Sequence, residues 1–177
     1  MPQVNLVPDA IIANNGWANP ENIFTTNNIH TTYSEVVEGN TLKFSLSNLG
    51  SGISLINSIR VGLNSLFITS KTSTTGYINV QILKGGEDEI YYSEDVVFNQ
   101  NALNYLQTTR SEVTSGVKWT QSLVNGIQIQ IRVNNEETTT FPINLDQVYL
   151  VVDYSTGEGP IELTSGFIEL TSGKVII

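Results

Sequence analysis

Apolar and polar residues alternate with a period of two along much of this chain, the spacing of a strand with one face on a core and one in water. Thr41-Leu42-Lys43-Phe44-Ser45-Leu46 puts its apolar side chains on one face and its polar ones on the other. Ser58-Ile59-Arg60-Val61-Gly62-Leu63 and Tyr77-Ile78-Asn79-Val80-Gln81-Ile82 follow the same scheme, and Gly126 to Val133 carries it furthest. Ile90 to Phe98, Ala102 to Leu106 and Val148 to Tyr154 are strand-like but apolar on both faces or irregular. The last predicts a central strand covered on both sides, or one whose outer face meets another subunit.

Turn residues separate these runs at Asn48 to Gly52, Gly85 to Asp88, Asn125-Gly126 and Asn134 to Glu136. No helical period persists over three turns. About eight short strands at such spacing predict an all-β fold, an antiparallel β-sandwich of jelly-roll type. A Greek-key order and a simpler sandwich both satisfy the alternation.

The two ends differ from the middle. Within residues 1–154, assigned to the sandwich, residues 1–40 read as an irregular segment. There Pro2 to Pro8 suits an edge strand limited by its prolines, and Trp17, in a turn-rich loop, suits a plug at one end of the sandwich. Residues 155–160 read as a linker. Residues 161–177 form an extended C-terminal arm in which Glu162-Leu163-Thr164-Ser165-Gly166 recurs as Glu169-Leu170-Thr171-Ser172-Gly173. Two copies are too few for a solenoid. The apolar residues Ile161, Leu163, Ile168, Leu170, Val175, Ile176 and Ile177 make the arm a candidate for pairing with a sheet edge on a partner.

Composition narrows the function. The chain has 177 residues and a net charge of −9, and its eight Lys and Arg residues are scattered singly, so no basic groove offsets the repulsion of a phosphate backbone. Nucleic-acid binding is therefore not expected. With no cysteine there is no disulfide and no thiolate metal site. The start of the chain lacks the basic and apolar regions of a signal peptide. No run approaches the ~20 apolar residues of a membrane span, so no membrane partner is expected.

Catalytic chemistry finds little support. His30 is the one histidine and has no nucleophile motif beside it. The acids Glu87, Asp88, Glu89, Glu94, Asp95, Glu136 and Glu137 offer pairs for glycoside hydrolysis, yet acids in turns are ordinarily solvated. Calcium at Glu87 to Glu89 is the cofactor these oxygens would accept, but no Asp-x-Asp-x-Asp-Gly loop makes the site specific. The expectation is a chain without enzymatic activity and without a cofactor. Aromatics on strands open another possibility, a sugar platform. Tyr91 and Tyr92 are its candidate stacking residues, because adjacent strand residues face opposite ways.

Several phrases, taken in order, resemble a jelly-roll module of tailed-bacteriophage virion proteins. They are Leu6-Val7-Pro8-Asp9 with Gly16-Trp17, then Gly39-Asn40-Thr41-Leu42, then Lys118-Trp119-Thr120 with Val124 to Ile129, and lastly Asn144 to Leu150. The resemblance covers about residues 4–154. It implies a virion structural role, first of all as a capsid decoration (cement) protein that stabilises the shell, with a head-fibre or tail appendage as variants. It also implies capsid or other virion proteins as partners, assembly in the host cytoplasm, and a homo-oligomer, dimer or trimer. In such modules the tryptophan phrase, here at Trp119, leads into a late strand, and Asp146 to Leu150 forms the final one. The alternative is a carbohydrate-binding or receptor-binding head domain of a tail or head fibre.

Overall fold

The computed structural model describes residues 2–24, 31–33, 40–69, 75–134 and 142–156. The segments of strongest alternation are strands: β5 (Thr41–Leu46), β6 (Leu55–Ile68), β7 (Gly76–Lys84), β8 (Ile90–Phe98) and β12 (Ile127–Val133). Two antiparallel sheets pack face to face, and β10 (Glu112–Thr114) and β11 (Val117–Lys118) form a separate two-stranded pair. The first is built on β6 and β14 (Gln147–Ser155), with β1 (Gln3–Leu6) and β13 (Ile143–Leu145) alongside and β9 (Leu103–Leu106) on the far side of β6. Two short strands, β3 (Trp17–Ala18) and β4 (Thr31–Tyr33), extend it beyond β13. The second sheet has the order β2-β5-β12-β7-β8, where β2 is Pro8–Asn14. Successive strands cross between the sheets repeatedly, as β1 to β2, β5 to β6, β6 to β7 and β12 to β13 do. The expected all-β sandwich is the observed fold.

The core lies between the sheets. Leu42, Phe44, Ile78, Val80, Ile82, Ile127, Ile129 and Ile131 from one sheet meet Ile59, Val61, Leu63, Val148, Leu150 and Val152 from the other, all fully buried or nearly so. These are the apolar members of each alternating run. Burying such side chains is worth about 1.5–3 kcal/mol each before chain entropy is subtracted.

Two differences from the sequence expectation have local causes. The first forty residues are not uniformly irregular, because β1, β2, β3 and a 3-10 turn (Pro20–Phe24) lie there. Two register shifts interrupt the pairing of β2 with β5, which blurs the alternation of β2. Trp17 is a plug as expected, buried beneath a turn that Asn14 closes from both sides. The Asn14 amide donates to the Trp17 carbonyl at 2.8 Å and accepts the Trp17 N–H at 3.0 Å, with Gly16 at φ 90° between them. Finally, a one-turn helix, α1 (Gln121–Asn125), follows Trp119, its N-cap Thr120 accepting the Leu123 N–H at 3.2 Å. One turn is too short to leave a helical period in the sequence.

Candidate functional site

Two places concentrate polar chemistry: the outward face of the five-stranded sheet, and the edge where β8 meets the segment from β9 to Trp119.

The outward face consists of the polar members of the alternating runs, and strand register sets them in rows. Arg132 lies between Thr41 and Asn79, and Asn79 in turn opposes Asp95. The next row is Lys43, Gln130, Gln81 and Ser93. Beyond it, Gln128 lies between Ser45 and Leu83. Side chains hydrogen bond along and between these rows. Gln130 donates to Gln81 at 2.7 Å, Ser93 to Asn79 at 2.8 Å, and the Asn79 amide to Asp95 at 2.7 Å.

At one end the β7–β8 turn reaches over the face. Asp88 in that turn meets the Lys43 ammonium at 2.7 Å although β12 separates β5 from β7. Lys43 holds the Asp88 carboxyl below the usual carboxylate range, through the hydrogen bond first and charge second. Within this network one atom has no partner: the Gln128 side-chain oxygen is buried and accepts no hydrogen bond. A buried acceptor left unpaired costs about 1–3 kcal/mol.

The sheet edge holds the aromatics that sequence reasoning picked out. A register shift in β8 between its partners Ile82 and Leu83 pairs Ile82 with Tyr92 and Leu83 with Ile90. Tyr91 and Tyr92 are both half-buried there and both pack on Trp119, Tyr91 edge-on with ring centroids 5.8 Å apart and Tyr92 at 6.4 Å. The Tyr92 hydroxyl donates to the Glu112 carbonyl, and the Arg110 guanidinium lies 4.5 Å from the Tyr92 ring. The indole N–H of Trp119 donates to the Arg110 carbonyl at 3.0 Å. These contacts seat both tyrosines against Trp119 at the sheet edge. The amide rows of the neighbouring face are what the sequence reading missed. Their signal was present in the outward members of the runs, but which of them align was not.

The same edge engages Glu94. Its carboxylate accepts from the Tyr105 hydroxyl and from the Thr108 N–H at 3.1 Å, and lies 3.5 Å from the Arg110 guanidinium. Glu87 and Glu89 flank Lys84, at 2.9 and 3.4 Å, so these acids are drawn to an ammonium ion. Among the described residues no three His, Cys, Asp or Glu side chains converge as metal ligands. His30, Glu136, Glu137 and all seven apolar arm residues from Ile161 to Ile177 lie outside the described residues.

No protein-family model and no curated protein matches the chain. Among solved structures, it is similar to the CBM36-1 domain of a multidomain xylanase from the hindgut metagenome of Trinervitermes trinervoides. That match covers 86% of this chain and 97% of that one, at 12% identity and a TM-score of 0.47. A low affinity xylan binding module, CBM86, from the xylanolytic gut symbiont Roseburia intestinalis matches over 88% and 97%, at 10% identity and a TM-score of 0.40. A CBM4 structure matches over 83% and 97%, at 14% identity and a TM-score of 0.40.

Proposed function

We propose that the chain is a non-catalytic glycan-binding domain, the carbohydrate-binding or receptor-binding head of a phage fibre, and that it binds through the outward face of the five-stranded sheet. The observation that carries this reading is the surface of aligned amides and hydroxyls that strand register sets in rows on this face. Each sugar hydroxyl both donates and accepts, so a hydroxyl-dense ligand completes such a network, whereas an apolar partner leaves it unpaired. The side chains stand on paired strands, which hold them with little loss of freedom on binding. The virion setting rests on the resemblance of the phrases from Leu6 to Leu150.

Gln130→Ala and Asn79→Ala test the reading on a glycan array. Both variants are expected to stay folded, with a small drop in thermal midpoint from the lost Gln130–Gln81 and Asn79–Asp95 bonds, and to lose binding about tenfold or more, the cost of one or two hydrogen bonds to a neutral ligand. Unchanged glycan binding by both variants overturns the assignment of this face. Failure of the intact protein to bind any glycan overturns the reading altogether.

The phrases around Trp119 and from Asp146 to Leu150 favour a second reading, a capsid decoration protein that forms a dimer or trimer. Here the arm residues Ile161, Leu163, Ile168, Leu170, Val175, Ile176 and Ile177 would clamp neighbouring virion proteins, many small contacts adding through avidity. Truncation after Thr156 should then abolish incorporation into particles, and full occupancy by the truncated chain removes the arm from the mechanism.

A further inference from the structure

Arg132 stands out on the outward face. It is exposed, its row neighbours Thr41 and Asn79 are uncharged, and no ion pair joins it to a described residue. Lys43, Lys84, Arg110 and Lys118 each sit within 4.0 Å of an acid. Arg60 also lacks an acid, but it lies on the other sheet and donates to Thr109. We propose that Arg132 binds a carboxylate on the glycan, and that the ligand is a largely neutral oligosaccharide carrying an isolated acidic sugar. The proposal rests on the glycan-binding reading of this face.

Three observations lead to that class of ligand. A guanidinium offers a planar pair of N–H donors that matches a carboxylate and is more weakly hydrated than an ammonium. The row of Ser45 and Gln128 lies four residues along the same strand from Arg132, about 13 Å away. An oligosaccharide, and not a single ring, spans from one to the other.

The acidic groups then limit how much charge the ligand carries. Asp95 is two strands across from Arg132, about 10 Å away, with Asn79 between them. A second carboxylate on a neighbouring sugar would approach Asp95, and that repulsion discriminates against polyuronates. The net charge of −9 acts in the same direction. Among the described residues of the face one cation lacks an acid, and it fits one anion on the ligand.

The test uses the intact protein and a matched pair of oligosaccharides, one with a single uronic acid and one in which that carboxyl is reduced to the alcohol, together with a polyuronate. The acidic member is expected to bind about tenfold more tightly than its neutral partner, the worth of one charge-assisted pair. Arg132→Gln should erase that difference, its loss falling mainly on the acidic member, and Gln130→Ala should weaken both. The polyuronate should bind more weakly than the singly charged ligand, and Asp95→Asn should narrow that gap. Equal binding of the matched pair, or equal losses for both in Arg132→Gln, overturns the role of Arg132 while the glycan reading stands. Absence of binding to every glycan overturns both.

Discussion

The Tyr105 hydroxyl donates a hydrogen bond to the Glu94 carboxylate, and that bond ties the edge of one sheet to the edge of the other. Tyr105 lies on β9, beside β6, whereas Glu94 lies on β8, the last strand of the five-stranded sheet. Arg110 and the Thr108 N–H close on the same carboxylate. A carboxylate at the open margin of a sandwich is thereby supplied with donors, which lets an acid occupy a core-facing position opposite Val80.

Stability should therefore fall at alkaline pH in a way that depends on Tyr105. Burial first, and the bond to Glu94 second, push its pKa well above the ordinary tyrosine value of 10.0. A raised folded-state pKa means that the contribution is complete below about pH 10 and is lost as pH rises through that value toward the folded one. Urea midpoints from pH 8 to 11 should drop more steeply for the parent than for Tyr105→Phe. Parallel curves would count against this.

Glu94→Gln keeps the shape and removes the charge. The amide loses the ion pair to Arg110 and directs an N–H at a donor, so a loss of about 1–2 kcal/mol is expected. Denaturant unfolding of Glu94→Gln, Tyr105→Phe and the double variant should show coupling between the two, because they share one bond. Strict additivity would refute the clasp.

Two glycines should respond in opposite ways. A Cβ on Gly85 would collide with the carbonyl oxygen of Gly126, which is backbone and cannot swing aside, whereas one on Gly50 meets nothing within 4 Å. Gly85→Ala is expected to cost about 1–3 kcal/mol. Gly50→Ala should be near neutral or slightly stabilising, through the less flexible unfolded chain. Thermal midpoints of the two variants measured side by side decide the matter.

Trp119→Phe removes the indole N–H that bonds the Arg110 carbonyl, together with part of the surface on which Tyr91 and Tyr92 pack. The expected loss is about 1–3 kcal/mol. Near-ultraviolet circular dichroism should lose the signal of the ordered aromatic cluster. An unaltered spectrum and midpoint would show that the cluster contributes nothing to the edge.

The alternating runs by themselves determined the fold class and the two faces of each main strand. Ile127, Ile129, Ile131 and Val133 had to point one way and Gln128, Gln130 and Arg132 the other, because successive strand side chains alternate. Trp17 was legible as a plug because so large an apolar ring in a polar loop has few other places to go. Tertiary structure decided what periodicity does not encode. Register between strands far apart in sequence set Arg132 beside Asn79, and Asn79 beside Asp95, since any two-residue slip would preserve the alternation and change every neighbour. The β8 register shift and the chain passing through Arg110 and Trp119 set Tyr91 and Tyr92 against one indole at the sheet edge. Which polar groups are left open, as at Gln128, depends on all those neighbours at once, and only the folded chain brings them together.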